Sequence, residues 1–109
     1  MPDLYVLDSA GRPVREHDVL AWAAWLKATD VVIAADDVGD VVVSTVFLAQ
    51  NRDMRRHKDP NRAPVLWETL VSWPGGATRQ DRYASREAAL AGHARWVEQL
   101  RQDQSPPPG

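Results

Sequence analysis

Two short apolar runs, 41–48 (VVVSTVFL) and 65–73 (VLWETLVSW), are separated by a strongly charged segment. Each is dense in β-branched and aromatic residues and shorter than a typical helix, so the pair reads as two neighbouring strands at the centre of a sheet. Alternation then divides each run between two faces. Trp67, Thr69, Val71 and Trp73 share one side of the second run, while Leu66, Glu68, Leu70 and Ser72 take the other. Along the first run, Val41, Val43, Thr45 and Phe47 oppose Val42, Ser44, Val46 and Leu48. Neither face is plainly polar. Phe47, Trp67, Thr69 and Val71 are expected to face the helices. The opposite face, with Val42, Val46, Leu48, Leu66 and Leu70, is expected to be covered as well, so that the two faces are closed between them by the two helices, the tail or another subunit.

The flanking segments complete the outline. Residues 4–7 suggest a short strand ended by the turn Ala10, Gly11, Arg12, Pro13. A helix is expected over 16–28, with Val19, Trp22, Ala23 and Leu26 on one face and Trp25 on its flank. Residues 31–35 read as a strand, linked to the first apolar run through an acidic turn of Asp36, Asp37, Gly39 and Asp40. Pro74, Gly75 and Gly76 end the second run. A short extended piece at 79–83 leads to Ser85, a suitable N-cap for a helix over 86–102 with Glu87 in its first turn. The order β, α, β, β, β, a possible short β, then α argues an α+β domain, residues 1–101, with a mostly antiparallel sheet of three to five strands and two helices. Residues 102–109 form a Pro-rich tail of flexible or polyproline character.

With 109 residues the chain is long enough to bury roughly 65% of its unfolded surface without a staple. Cysteine is absent, which excludes disulfides, thiolate chemistry and a Cys-ligated zinc. The N-terminal MPDLYVLD has no basic and apolar regions of an export signal, and no apolar run approaches the length of a membrane span, so a cytoplasmic location is expected. The net charge is only −2, but it is unevenly placed. Within 51–62 (NRDMRRHKDPNR), Arg52, Arg55, Arg56, Lys58 and Arg62 outweigh Asp53 and Asp59, a local +3 that leaves −5 elsewhere.

No spacing matches a metal, phosphate-loop, nucleophile-elbow or dinucleotide motif, so no cofactor and no catalytic residue is assigned. His93 falls at the centre of the apolar stripe Ala89, Trp96, Val97, Leu100, and a buried imidazole needs a partner. Glu68, Thr69, Ser44 and Tyr83 are the polar groups on neighbouring elements, and a buried Glu68–His93 pair is the expected arrangement. It would serve either as an oriented acid/base or, as the lack of a nearby nucleophile favours, as a satisfied core histidine. Ser44 and Thr45 lie mid-strand, where β-propensity explains them better than catalysis. The basic segment could neutralise phosphates, yet it has no interleaved aromatic for base stacking. Asp36, Asp37 and Asp40 lack the spacing of a calcium loop. Trp25 and Trp73, at the edges of their patterns, join Leu66, Leu70 and the five basic residues as candidate interaction residues.

The strings DVGDVVVSTVFL at 37–48, PVLWETLV at 64–71 and RYASREAALAGH at 82–93 resemble a group of small bacteriophage, prophage and actinobacterial-type proteins without an established activity. The resemblance covers about 20–97. It departs after the first run, where the group has a short Gly-rich loop following a Leu-Asp-His segment and this chain has Ala49, Gln50, Asn51 and the basic stretch. The resemblance implies a phage or prophage accessory protein. Together with the missing catalytic motifs, it leads to the expectation of a non-catalytic protein that binds a host or phage protein, as an inhibitor of a bacterial defence system or an immunity-type protein. A homodimer fits the doubly apolar sheet, and nucleic-acid binding through 51–62 is the alternative.

Overall fold

A computed structural model describes residues 3–51 and 63–108. The two apolar runs are neighbours, as expected. Strand β4, Val41–Phe47, pairs antiparallel with the later strand of the second run, Trp67–Ser72, with Thr45 opposite Thr69 and Phe47 opposite Trp67. In chain order the elements are β1 Tyr5–Leu7, β2 Pro13–Arg15, α1 Val19–Ala28, β3 Val32–Val38, β4, β5 Trp67–Ser72, β6 Thr78–Tyr83 and α2 Arg86–Gln102. Strands β3, β4, β5 and β6 form one antiparallel sheet in that order, while β1 and β2 form a separate hairpin. The fold is α+β.

Local chemistry accounts for the boundaries. Residues 13–15, which precede the expected helix, form an additional strand paired with β1, because Asp8 nucleates a turn by accepting the amide N–H groups of Ala10 and Arg12, each at 2.9 Å, and the helix begins at Val19 rather than at 16. Asp18 then caps α1 by accepting from the Leu20 amide at 2.9 Å. β3 runs three residues beyond the expected end, so Asp36 and Asp37 belong to a strand rather than to the turn. Gly39 and Asp40 alone make the reversal. Gly39, at φ 60°, occupies the first central position, where a hairpin turn favours glycine. Ser85 caps α2 through the Ala88 amide at 3.0 Å.

Both helices lie against the same face of the sheet. α2 crosses all four strands with Ala89, His93, Val97 and Leu100 inward. α1 covers the far end, where the Trp25 ring meets Phe47 edge to face at 6.0 Å and the Trp22 indole donates to the Ala49 carbonyl at 3.0 Å. Its inward residues are Trp22, Trp25 and Leu26, while Val19 and Ala23 are exposed, so the helix is rotated from the expected face. The reason is that the indole at 22 is anchored to a main-chain carbonyl, a constraint that an apolar periodicity does not contain. The core has two apolar clusters, one around Val41, Val43, Val71, Val97 and Leu100 and the other around Phe47, Leu66, Trp67 and Ala89.

The second face of the sheet departs from the expectation of full cover. No described element packs over it, and Val42 is 45% exposed and Val32 42% exposed, with Val46, Leu48 and Leu70 half-buried. Leu66, at the same parity, is buried because it precedes β5 and enters the Phe47 cluster. The tail is pinned at its start. The Trp73 indole donates to the Gln104 carbonyl at 3.1 Å, and the Gln104 carboxamide fills the space that a Cβ on Gly39 would need.

Candidate functional site

Between the two apolar clusters runs a line of polar side chains. Alternation puts Thr45 on the inner face of β4 and Thr69 directly opposite it on β5, with their hydroxyl oxygens 2.6 Å apart. α2 delivers His93 above them, one helical turn after Ala89 and one before Val97. Its Nδ1 lies 2.7 Å from the Thr45 hydroxyl, and its Nε2 lies 2.7 Å from Oδ2 of Asp36 on β3. Thr45 and Thr69 are 0% exposed and His93 is 5% exposed, whereas the Asp36 side chain is 52% exposed. The line therefore starts at the surface and ends in the core.

Donors and acceptors fit one direction. Asp36 as a carboxylate only accepts, so Nε2–H donates to it. In the neutral ring Nδ1 is then an acceptor for the Thr45 hydroxyl, whose oxygen accepts in turn from Thr69. A doubly protonated ring would reverse the hydroxyls and leave the Thr69 proton with no side-chain acceptor among the described residues. The chain of bonds links α2 to β3, β4 and β5 at once. On the opposite flank the Trp96 indole donates to Asp81 on β6 at 2.7 Å, so α2 is hydrogen-bonded to both edges of the sheet.

Carboxylate, imidazole and hydroxyl stand in the order that activates a nucleophile. The hydroxyl at the end, however, is sealed: Thr45 has no exposed surface and its oxygen is occupied by Thr69. An attacking group needs a reacting atom about 3 Å away, and helix and sheet fill that space. Among the described residues no three His, Asp or Glu side chains gather as a metal site. An open cleft of about 440 Å³ lies at the start of α2, between Ser85, Arg86 and the β1–β2 turn, but Arg12 there is engaged by Asp8 and Glu87 adds a carboxylate.

Of the sequence-derived site residues, His93 is buried and hydrogen-bonded as expected, but Glu68 is not its partner. Glu68 lies on the other face and meets Arg82 at 3.3 Å, because strand alternation separates it from Thr69 by the thickness of the sheet. Trp73 is buried against Trp96, with ring centroids 6.1 Å apart, and Trp25 is half-buried on Phe47, so neither presents its ring as an exposed anchor. Leu66 is core. Leu70 remains partly accessible on the uncovered face. Arg52, Arg55, Arg56, Lys58 and Arg62 lie outside the described residues. Asp36 escaped the sequence reading because it was placed in a turn; extending β3 to Val38 puts Asp36 beside Ala34 and Val38 on the inner face, which is the signal that would have found it.

Comparison with protein-family profiles, with curated proteins and with solved structures gives no match. No helix among the described residues is long and apolar enough to cross a membrane.

Proposed function

We propose that this chain acts without catalysis, by binding a protein partner over the uncovered face of its sheet. The observation that carries the reading is the row Val32, Val42, Val46 and Leu70, aliphatic side chains left partly or largely open on a rigid four-stranded sheet whose other face is closed by two helices. Water-exposed valines on adjacent strands are a standing cost that a bound partner removes. The sealed Thr45 hydroxyl supports the non-catalytic part. The likeness of the sequence to phage and prophage proteins suggests the kind of partner, a host or phage protein, with inhibition of a bacterial defence system as the biological outcome.

The test is capture from a bacterial lysate by the wild-type chain and by two folded variants. Val42→Asp with Leu70→Asp should lose the captured protein, while His93→Gln should keep it. Retention by the face variant, or loss of turnover of a small substrate in a folded His93→Gln chain, would overturn the reading. If retention on heparin or DNA disappears between low and moderate salt and depends on Arg55, Arg56 and Lys58, nucleic acid is the partner instead.

A further inference from the structure

The geometry points to a second binding surface, the open edge of β6, and to its occupant: the β6 edge of a second copy of this chain, joined antiparallel with Gln80 opposite Gln80. The inference is independent of the uncovered face, since it uses main-chain groups at the rim of the sheet.

β6 (TRQDRY) is an edge strand, exposed from Thr78 through Arg82. At the base of its hairpin the Trp73 amide donates to the Ala77 carbonyl at 2.9 Å. Hydrogen-bonded pairs alternate along an antiparallel ladder, so the bonded pairs continue at Val71 with Arg79 and Thr69 with Asp81. The main-chain groups of Thr78, Gln80 and Arg82 therefore point away from β5. Among the described residues the only group that meets them is the Arg79 guanidinium, at 3.3 Å from the Thr78 carbonyl.

Charged residues on an edge strand normally turn other strands away. Here they select one self-pairing. Two copies can join only in registers that set outward groups against outward groups, which leaves three near the strand centre. One places Arg79 opposite Arg79, another Asp81 opposite Asp81, and each is repelled by its own like charges. In the third, Gln80 pairs with itself and Arg79 stands opposite the partner's Asp81, twice by symmetry. Those Arg–Asp positions are non-hydrogen-bonded pairs, where side chains approach most closely. The carboxylate is prepared for this. Asp81 uses Oδ2 to accept from Trp96, and its Oδ1 has no partner among the described residues. On the other face Thr78 stands opposite the partner's Arg82, with no like-charge contact.

The opposite edge cannot extend the assembly. β3 carries a bulge between Val32 and Ala34 and the adjacent carboxylates Asp36 and Asp37, so growth stops at a closed two-fold dimer with an eight-stranded sheet and both α2 helices on one side.

Sedimentation velocity of the full chain over a concentration series should show a monomer–dimer equilibrium. Arg79→Asp places Asp opposite the partner's Asp81 and should weaken it on the order of tenfold or more. Asp81→Arg should weaken it likewise, and an equimolar mixture of the two variants should recover association, because each then faces its opposite. Should Asp81→Arg not fold after losing its Trp96 bond, Gln80→Pro decides: it removes an outward N–H while sparing the ladder to β5, and should abolish dimers that Gln80→Ala retains. A chain monomeric at every concentration, a dimer indifferent to Arg79→Asp, or a dimer that survives in a folded Gln80→Pro chain would overturn the inference.

Discussion

The two faces of one sheet each carry an exception to the usual reading of polarity. The helix-facing side of β4 and β5 buries two threonine hydroxyls completely, with His93 of α2 above them only 5% exposed, while the opposite side leaves Val42 and Val32 exposed. Hydrophobicity alone would place those residues the other way round. What decides is satisfaction: each buried polar atom in the line from Asp36 to Thr69 has a partner within 2.7 Å, so its desolvation is offset. The valines have no such requirement and tolerate either side. Val41, Val43, Phe47, Trp67 and Val71 mark the closed face by their apolar content, and satisfied hydrogen bonds let the threonines and the histidine be buried with them.

The contrast breaks most easily at the large residues. Trp67→Ala should cost about 3 to 5 kcal/mol in urea unfolding, as for other large core truncations. Val42→Thr, on the outer face of the neighbouring strand, should stay within about 0.5 kcal/mol. Equal effects would mean that the faces are not distinct.

Next in size is the polar line. Thr45→Val strips His93 Nδ1 and the Thr69 hydroxyl of their partner at once and should cost about 1 to 3 kcal/mol. Adding Thr69→Val and His93→Leu removes the stranded groups, so the triple variant should cost less than the sum of the single ones. Additive losses would show the three residues to be independent.

Gly92 sharpens the same comparison from the helix side. The Tyr83 ring and hydroxyl fill the position that a Cβ would take, so Gly92→Ala should destabilise by about 1 to 3 kcal/mol despite alanine's better helix propensity. A neutral outcome would show that α2 can lift off this edge without loss.

The smallest effect lies outside the sheet, in the β1–β2 hairpin. The amide of Arg12, with that of Ala10, holds the exposed Asp8 carboxyl below its ordinary value of 3.8. A group whose folded value is depressed stabilises above the unfolded value and loses that contribution as pH falls through the folded one. The hairpin should therefore loosen below about pH 3.8, seen as faster exchange of the Arg12 amide, and Asp8→Asn should abolish that dependence.

Much of this architecture was legible before any coordinates. Runs of β-branched and aromatic residues marked β4 and β5 and their adjacency, the Ser85 cap marked the start of α2, and the stripe around His93 placed that ring against the sheet. Those features are local, or depend on periodicities of two and 3.6 residues that a sequence displays directly. The partner of His93 was not legible. The parity of 65–73 already sets Glu68 on the face away from the helices, against its pairing with His93, whereas finding Asp36 needs the end of β3 to within two residues and the strand parity that follows from it. The rotation of α1 was hidden for a related reason, since nearly every side chain of VLAWAAWLKA is apolar and the indole at 22 found its acceptor on a distant turn. Sequence by itself determined which segments are strands and helices, because backbone sterics and side-chain branching act between near neighbours. Only the tertiary structure decided that the second face stays uncovered, which carboxylate meets the buried imidazole and which edge stays open, because those depend on where α2 docks across four strands and on which buried polar atoms that docking pairs.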